Sequence, residues 1–548
     1  MKVALAQYNF TVNHFEYNKL RIIEGIERAK ESNADLVVFS ELSVCGYPPL
    51  DLLDRKTFVD SCIDGVKEIA THCQGIAAVV GAPSYNQSPV GKMLYNSAYL
   101  LNNGEIESVH HKALLPTYDI FDEYRYFESN IDFHVVLLNG KRIAITVCED
   151  MWDNQPPTAG VSRSNLYKIS PMEELAKQNP ELVINISASP FSKNSFKRRF
   201  EVFQDKCKQF KLPVVHVNQV GANTDLIFEG SSFAFNNDGK AICKLKDFSE
   251  DFQIVDIEGN DTIDIQPQKD SIAQIHDALV MGIRDYFHKS GLTKATLGLS
   301  GGIDSAVTLV LAQKALGSQN VRVLLMPSQY SSQHSIDDAV ALAKNLNVQY
   351  HIVNISSTFD VLRGSMSDVF GDIPEDVTEE NIQARIRGTM LMALSNKLGH
   401  LLLNTSNKSE AAVGYGTLYG DMCGAISVLG DVYKSEVFDL ARYINKDQEV
   451  IPENTINKPP SAELRPDQKD SDSLPEYEVL DKILYHFIEG HKSAPEIVAL
   501  GFEEAVVNRV LKLVNASEHK RIQSPPILRV SPKAFGHGRR IPVVAKFI

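Results

Sequence analysis

The stretch Ala295-Thr-Leu-Gly298-Leu299-Ser300-Gly301-Gly302-Ile303-Asp304-Ser305-Ala-Val-Thr-Leu-Val310 sets a glycine pair and two serines between an apolar strand and an apolar helix. Backbone N–H groups freed by glycines at a helix start can ring a phosphate, and the helix dipole adds partial positive charge there. Gly298, Leu299, Ser300, Gly301, Gly302, Ile303, Asp304 and Ser305 are therefore the candidate contacts of an ATP pyrophosphate. A Walker loop would carry Gly-Lys-Ser/Thr after four spacers. Here Asp304 stands where that cation is expected, which makes it a candidate magnesium ligand. The arrangement suits a site that grips the β,γ-pyrophosphate while the α-phosphate is attacked, leaving AMP and pyrophosphate. Read without chemistry, the same residues make a tight strand-to-helix turn.

Working outward, a helix near Ile272 to Phe287 leads into that strand, and further strands follow at Val321-Arg-Val-Leu-Leu-Met and His400-Leu-Leu-Leu-Asn-Thr. Strands alternating with helices predict a parallel, doubly wound sheet whose ligands sit beyond the strand C-termini, where Ser300, Pro327 and Thr405 fall. Met366 to Glu380 and Ile451 to Pro475, rich in acidic residues or in Pro, Asp and Ser, read either as mobile lids or as plain disorder.

Residues 1 to 260 repeat the alternation with Val3-Ala-Leu-Ala-Gln, Leu36-Val-Val-Phe, Ala77-Ala-Val-Val-Gly, Ile143-Ala-Ile-Thr-Val, Leu182-Val-Ile-Asn-Ile and Val214-Val-His-Val-Asn. This predicts a second α/β layered domain. Leu20, Ile23, Ile26 and Ala29 recur at helical spacing between Lys19 and Lys30 and predict one buried helix face. From Asp247 to Asp270 the pattern gives way to an acidic, polar stretch read as linker. The expected division is a domain over 1–260, a linker over 261–270 and a domain over 271–548. A chain of 548 residues exceeds one hydrophobic core.

Seven cysteines without paired spacing predict reduced thiols and a cytoplasmic setting. No Cys/His cluster has zinc spacing. No apolar run nears the roughly 18 residues that span a bilayer, and no signal peptide is expected at the N-terminus. The formal charge of −14 disfavours binding to nucleic acid or an anionic membrane. An anionic substrate must therefore meet locally gathered Lys and Arg.

The first half carries a second chemical centre in Phe39-Ser-Glu41-Leu, His111-Lys112-Ala-Leu-Leu-Pro and Val147-Cys148-Glu149-Asp150-Met-Trp. A thiol of reference pKa about 8.5 becomes a useful nucleophile with a carboxylate base and a lysine nearby. Glu41 can take the thiol proton, and Lys112 can stabilise the oxyanion of a tetrahedral intermediate. Taken singly, these residues read as a core thiol, a capping or surface acid and a solvated lysine. Jointly they resemble the nitrilase, or carbon-nitrogen hydrolase, superfamily with its Glu-Lys-Cys triad.

That amidase type fused to a Ser-Gly-Gly-Ile-Asp-Ser domain resembles the glutamine-dependent NAD synthetase family over essentially the whole chain. The resemblance implies a nitrilase-like αββα sandwich followed by a doubly wound, adenine-nucleotide α-hydrolase-like domain. It implies that glutamine is hydrolysed in the first domain, and that its ammonia displaces AMP from adenylated deamido-NAD in the second. The blocks Glu380-Asn381-Ile-Gln-Ala-Arg385-Ile-Arg387, Asn404-Thr405-Ser-Asn-Lys-Ser-Glu410, Gly430-Asp-Val-Tyr-Lys434, Pro460-Ser461 and Glu518-His519-Lys520-Arg521 support it. By resemblance, Asn381, Arg385, Glu410 and Lys520 bind deamido-NAD, Thr405, Lys434 and Ser461 bind ATP, and Asp304 with Glu410 holds Mg2+. Tyr118, Ser189 and Ser195 are implied to bind glutamine. The family often places a basic residue where this chain has Ser195, so the partner of the glutamine carboxylate stays open between Ser195, Lys193 and Arg198. Glu123 either assists the triad or is a structural acid. A homo-oligomer built on synthetase-domain dimers is also implied.

The same pyrophosphate loop serves other amide-forming and thiolating enzymes. GMP synthetase pairs it with a Cys-His-Glu glutaminase, and asparagine synthetase needs cysteine after the initiator Met, where this chain has Lys2. Thiolating enzymes carry a cysteine near the loop and a basic RNA surface, whereas Cys423 is far from the loop in sequence. Another glutamine-dependent ATP pyrophosphatase, or a nucleotide-binding regulatory protein with an inactive amidase, is the alternative reading.

Overall fold

The computed structural model describes residues 1–153, 166–259, 261–265, 270–466 and 468–546. It separates into two compact units, Met1–Gln268 and Lys269–Ile548.

The first unit holds two six-stranded sheets. One runs Asp251–Asp256, Lys2–Gln7, Leu36–Val38, Ala77–Tyr85, Leu94–Asn102, Glu105–His111 in spatial order, and the other Ala241–Lys244, Phe233–Phe235, Val214–Asn218, Leu182–Ser187, Lys141–Val147, Val136–Leu138. In both, three central strands are parallel and the flanks antiparallel. Val3, Leu5, Val38 and Val79 of one sheet pack against Ile145, Ile184 and Val217 of the other. The alternate residues face outward: Ala4, Val37 and Val80 meet Ile22 and Ile26 of helix Phe15–Glu31 and Val59 and Val66 of helix Lys56–Thr71. On the opposite side, Ala144 and Val183 meet Phe196 and Phe203 of helix Ser195–Phe210. Central strands buried on both faces must be apolar throughout, so they stand out in the sequence. The four layers form the expected αββα sandwich.

Two expectations need correction here. The polar stretch read as linker from Asp247 contributes an edge strand, because Asp251–Asp256 pairs antiparallel with Lys2–Gln7 and turns Phe252 and Val255 inward. An edge strand needs few apolar residues. Residues 261–265 carry no regular element, and 266–269 lie outside the described residues. In helix Phe15–Glu31 the buried stripe is Asn18, Ile22, Gly25, Ile26 and Ala29, while Leu20 is exposed and Ile23 only half-buried. The stripe includes the polar Asn18 because its amide donates to Thr11 O and Val44 O.

The second unit contains a five-stranded, all-parallel sheet in the order Gln349–Ile352, Val321–Leu325, Ala295–Gly298, Leu401–Asn404, Ile426–Ser427. The chain builds outward on one side of Ala295–Gly298 and then crosses to the other. The crevice beyond this reversal is where such sheets bind ligands. Helix Ile303–Leu316, buried from Ser305 through Ala312, packs behind the loop. The short strands Gln349–Ile352 and Ile426–Ser427 escaped the sequence reading, the first because most of its residues are exposed.

Both segments read as lids or disorder contain ordered elements. Ser367–Phe370 is helical, helix Val377–Leu398 begins within the first segment, and Glu453–Asn457 and the single turn Asp470–Asp472 lie in the second. Among the described residues no helix is long and apolar enough to cross a membrane.

Candidate active sites

In the first unit, Glu41 follows strand Leu36–Val38, Lys112 follows Glu105–His111 and Cys148 follows Lys141–Val147. All three are buried. Lys112 Nζ lies 2.8 Å from Glu41 Oε1 and 2.7 Å from Glu123 Oε2. Burial alone would strip the lysine of its proton, but the charges of Glu123 and Glu41 outweigh it and hold Lys112 well above its ordinary value. Tyr47 Oη donates to Glu123 Oε1 at 2.9 Å. Burial, reinforced by Glu41 and opposed by Lys112, raises Glu123 to about 7.

Cys148 sits in the left-handed region at φ 45°, a conformation that costs a non-glycine residue on the order of 1–3 kcal/mol. Asp150 fixes it there: its Oδ2 accepts from Val147 N at 3.0 Å, while Oδ1 accepts from Ala113 N and Leu114 N at 2.9 and 3.0 Å. One carboxylate thus ties the turn at Cys148 to the loop after Lys112. Burial, with the charge of Glu41, holds the Cys148 thiol well above its usual value despite Lys112. Burial and Glu41 thus favour the protonated thiol.

Tyr118 Oη and Tyr167 Oη both donate to Glu149 Oε1 at 2.8 Å. Ser189 follows strand Leu182–Ser187, its N–H held by Asn218 Oδ1. Ser195 opens helix Ser195–Phe210, and its hydroxyl donates to Glu229 Oε1 at 3.4 Å. One turn on, the buried Arg199 reaches Ser189 Oγ at 3.4 Å and Glu229 Oε1 at 2.8 Å. The guanidinium beside Ser189 is thus Arg199, which was not among the three candidates read from the sequence. Its signal was available, since residues four apart share a helix face and Ser195 and Arg199 are so spaced.

In the second unit, Ser300 and Ser305 close the loop on itself. Ser305 Oγ accepts from Ser300 N at 3.3 Å and donates to Gly302 O at 3.0 Å. Gly302 caps helix Ile303–Leu316 without a side-chain bond. Gly301 has φ +83°, and a Cβ there would lie 2.2 Å from Ser335 O. Gly301→Ala must therefore move the backbone of the loop or of helix Gln333–Asn345. We expect it to cut ATP-dependent turnover at least tenfold while leaving glutamine hydrolysis intact, measured as AMP and glutamate release respectively.

Asp304 Oδ2 accepts from Lys434 Nζ at 2.5 Å and Oδ1 from Asn407 Nδ2 at 2.9 Å. Glu410 Oε1 lies 3.4 Å from the same ammonium. Burial and the charge of Asp304, opposed by Lys434, raise Glu410 to about 8. At neutral pH this favours the protonated form of Glu410, while Lys434 balances the charge of Asp304. Asn407 was not singled out, yet Asn407-Lys-Ser-Glu410 is a capping box at the start of helix Lys408–Val413. Thr405 directly follows strand Leu401–Asn404.

Asn381 and Arg385 project from helix Val377–Leu398 onto the segment where Lys520 also lands. Asn381 Oδ1 accepts from Thr417 Oγ1 at 2.7 Å, Arg385 Nε donates to Leu418 O at 3.2 Å, and Lys520 Nζ donates to Gly414 O and Gly416 O at 2.8 and 2.7 Å. Glu410 and Lys520 line one pocket with Ser406, Tyr415 and Ser524. Ser461 is exposed and its hydroxyl donates to Gln468 O within its own loop. It is Glu463, two residues on, that binds Ser332 and Ser335 of the helix beside Gly301. Cys423, remote from the loop in sequence, lies against Asn404, whose amide donates to Cys423 O at 3.3 Å.

The carbon-nitrogen hydrolase profile matches residues 2–163 and the NAD synthase profile residues 275–524. A glutamine-dependent NAD(+) synthetase of a Synechocystis strain is 43% identical over 100% of this chain and 99% of its own length. The chain belongs to the glutamine-dependent NAD(+) synthetase family. A relative of that name from Acinetobacter baylyi is 42% identical over 99% of this chain and 98% of its own. The solved glutamine-dependent NAD+ synthetase from Acinetobacter baumannii, in complex with ADP, aligns with a TM-score of 0.78 at 38% identity, covering 99% of this chain and 98% of that one. Membership in this synthetase family unites the two clusters, since each profile falls on one of them.

Proposed function

We propose that this chain converts ATP, deamido-NAD, glutamine and water to AMP, diphosphate, NAD and glutamate. Membership in the synthetase family supports the reading, and the observation that carries it is the presence in one chain of the buried Glu41–Lys112–Cys148 cluster and the Asp304–Lys434–Glu410 cluster beside a glycine loop. Cys148 attacks the glutamine side-chain amide as Glu41 takes the thiol proton, Lys112 stabilises the oxyanion, and the proton passes to the departing ammonia. Water, deprotonated by Glu41, then cleaves the thioester to glutamate. Tyr118, Ser189 and Ser195, with Arg199 behind them, hold the rest of the glutamine.

In the second unit the Gly298–Ser305 loop holds the pyrophosphate, assisted by Thr405, Lys434 and Ser461. Asn381, Arg385, Glu410 and Lys520 hold deamido-NAD so that its nicotinate carboxylate meets the α-phosphorus, and ammonia then displaces AMP. Asp304 and Glu410 fit Mg2+: they are hard oxygen donors gathered on one ammonium, a divalent cation there would favour the ionised form of Glu410, and this ion is typically held by one or two carboxylates together with phosphate oxygens. The ion would neutralise charge on the leaving pyrophosphate.

Large apolar side chains, among them Ile352, Val361, Val369, Ile373, Val377 and Leu398, stand exposed between Gln349 and Leu398. They support a homo-oligomer joined through the second unit. Seven free cysteines support a cytoplasmic setting.

Protein, magnesium, ATP, deamido-NAD and glutamine labelled with 15N in its side-chain amide are expected to yield NAD carrying the label, with AMP and glutamate in equal amounts. Absence of NAD from both glutamine and ammonium chloride would remove the reading.

A further inference from the structure

Asn96 lies in strand Leu94–Asn102, fully buried, between the carboxylate and the lysine of the first site. Its main-chain oxygen accepts from Lys112 N at 2.8 Å, and its side-chain Nδ2 donates to Glu41 Oε1 at 2.7 Å. Only an amide nitrogen can donate to a carboxylate, so the amide's orientation is fixed by chemistry. The other end, Asn96 Oδ1, is buried with no hydrogen-bond partner among the described residues. A residue serving packing alone would be better replaced by an apolar one, because a buried acceptor without a donor is unfavourable. The amide is thus held in the interior by what its nitrogen does.

A carboxylate oxygen offers two lone-pair positions. Glu41 Oε1 receives both Asn96 Nδ2 and Lys112 Nζ, at 2.7 and 2.8 Å. Among the described residues, Glu41 Oε2 receives only Ala188 N, at 2.8 Å. One position on Oε2 therefore stays open. We propose that Asn96 is a positioning residue for the glutaminase reaction, saturating Oε1 so that Oε2 is the oxygen that accepts the Cys148 proton. The S–H bond breaks as O–H forms on Oε2 and sulfur bonds to the amide carbon. The same proton then moves from Oε2 to the amide nitrogen as the C–N bond breaks and ammonia leaves. Without Asn96 Lys112 alone holds Oε1, which then has an open position to compete with Oε2 for the proton and lets the carboxylate tilt, and a misplacement of about 1 Å costs roughly 10²-fold in rate.

This proposal rests on the glutaminase reading of Glu41, Lys112 and Cys148, and the test separates the two. Asn96→Leu and Asn96→Asp keep the side-chain shape; the first removes the donor, and the second also sets a negative charge against Glu41. We expect Asn96→Leu to lower kcat for glutamate release about 10²-fold with KM for glutamine within threefold of the parent, and Asn96→Asp to lower it further. NAD synthesis from ammonium chloride is expected at the parent rate in both, which reports that the second unit is folded, while the unchanged KM for glutamine reports the same of the first. Retention of kcat within threefold by either variant, a rise in KM with kcat unchanged, or equal loss of the ammonium reaction overturns the role of Asn96. Glutamine hydrolysis that survives Cys148→Ala would instead overturn the reading beneath it.

Discussion

Cys148→Ala is expected to abolish NAD formation from glutamine, by at least ~10⁴-fold, while formation from ammonium chloride continues at the parent rate. The asymmetry follows from where the residue sits. Cys148 is buried beside Glu41 and Lys112 in the first unit, whereas Asp304, Lys434 and Glu410 belong to the second. Its loss removes the bond-forming atom of the nitrogen supply and nothing from the ATP chemistry. The measurement is NAD release with each nitrogen source in turn. Equal loss with both would mean that the thiol serves the whole chain rather than the glutaminase.

Asp304→Ala is expected to act the other way, removing synthesis from both nitrogen sources while slow glutamine hydrolysis persists. The Asp304 carboxylate accepts from Lys434 and Asn407 at once and stands at the first turn of helix Ile303–Leu316. Removing it frees the lysine, unpins the capping residue and takes away one of the two oxygen donors proposed for Mg2+. Several kcal/mol of charge stabilisation at the phosphorus correspond to a fall of roughly 10²–10³-fold. Ammonium-dependent synthesis at the parent rate would refute the assignment.

The contrast between these two substitutions depends on a division that was largely legible in the residues. Strands such as Leu182–Ser187 and Ala295–Gly298 are buried on both faces, so hydrophobicity alone exposes them. Asp251–Asp256 escaped for the opposite reason, because an edge strand is held by main-chain hydrogen bonds that leave little trace in side-chain chemistry. Residues that follow strands, Glu41, Lys112, Cys148 and Asp304 among them, could be named because motif and strand end coincide. Asn407 and Asn96 were missed because each acts from a cap or the interior of an element and is paired with a residue remote in sequence, whereas Arg199 carried a signal in its helical spacing from Ser195. Ser461 shows the converse: a residue in a matching block whose hydroxyl closes its own loop, while Glu463 reaches the neighbouring helix.

The protonated state of Cys148 has a consequence beyond catalysis. Peroxides react with thiolates and hardly with thiols, and their attack begins the ladder from sulfenic to sulfonic acid. A buried sulfur whose thiol form is favoured by its surroundings is a poor target for an oxidant at rest. The nitrogen supply for NAD is therefore expected to outlast oxidative stress that silences enzymes built on standing thiolates.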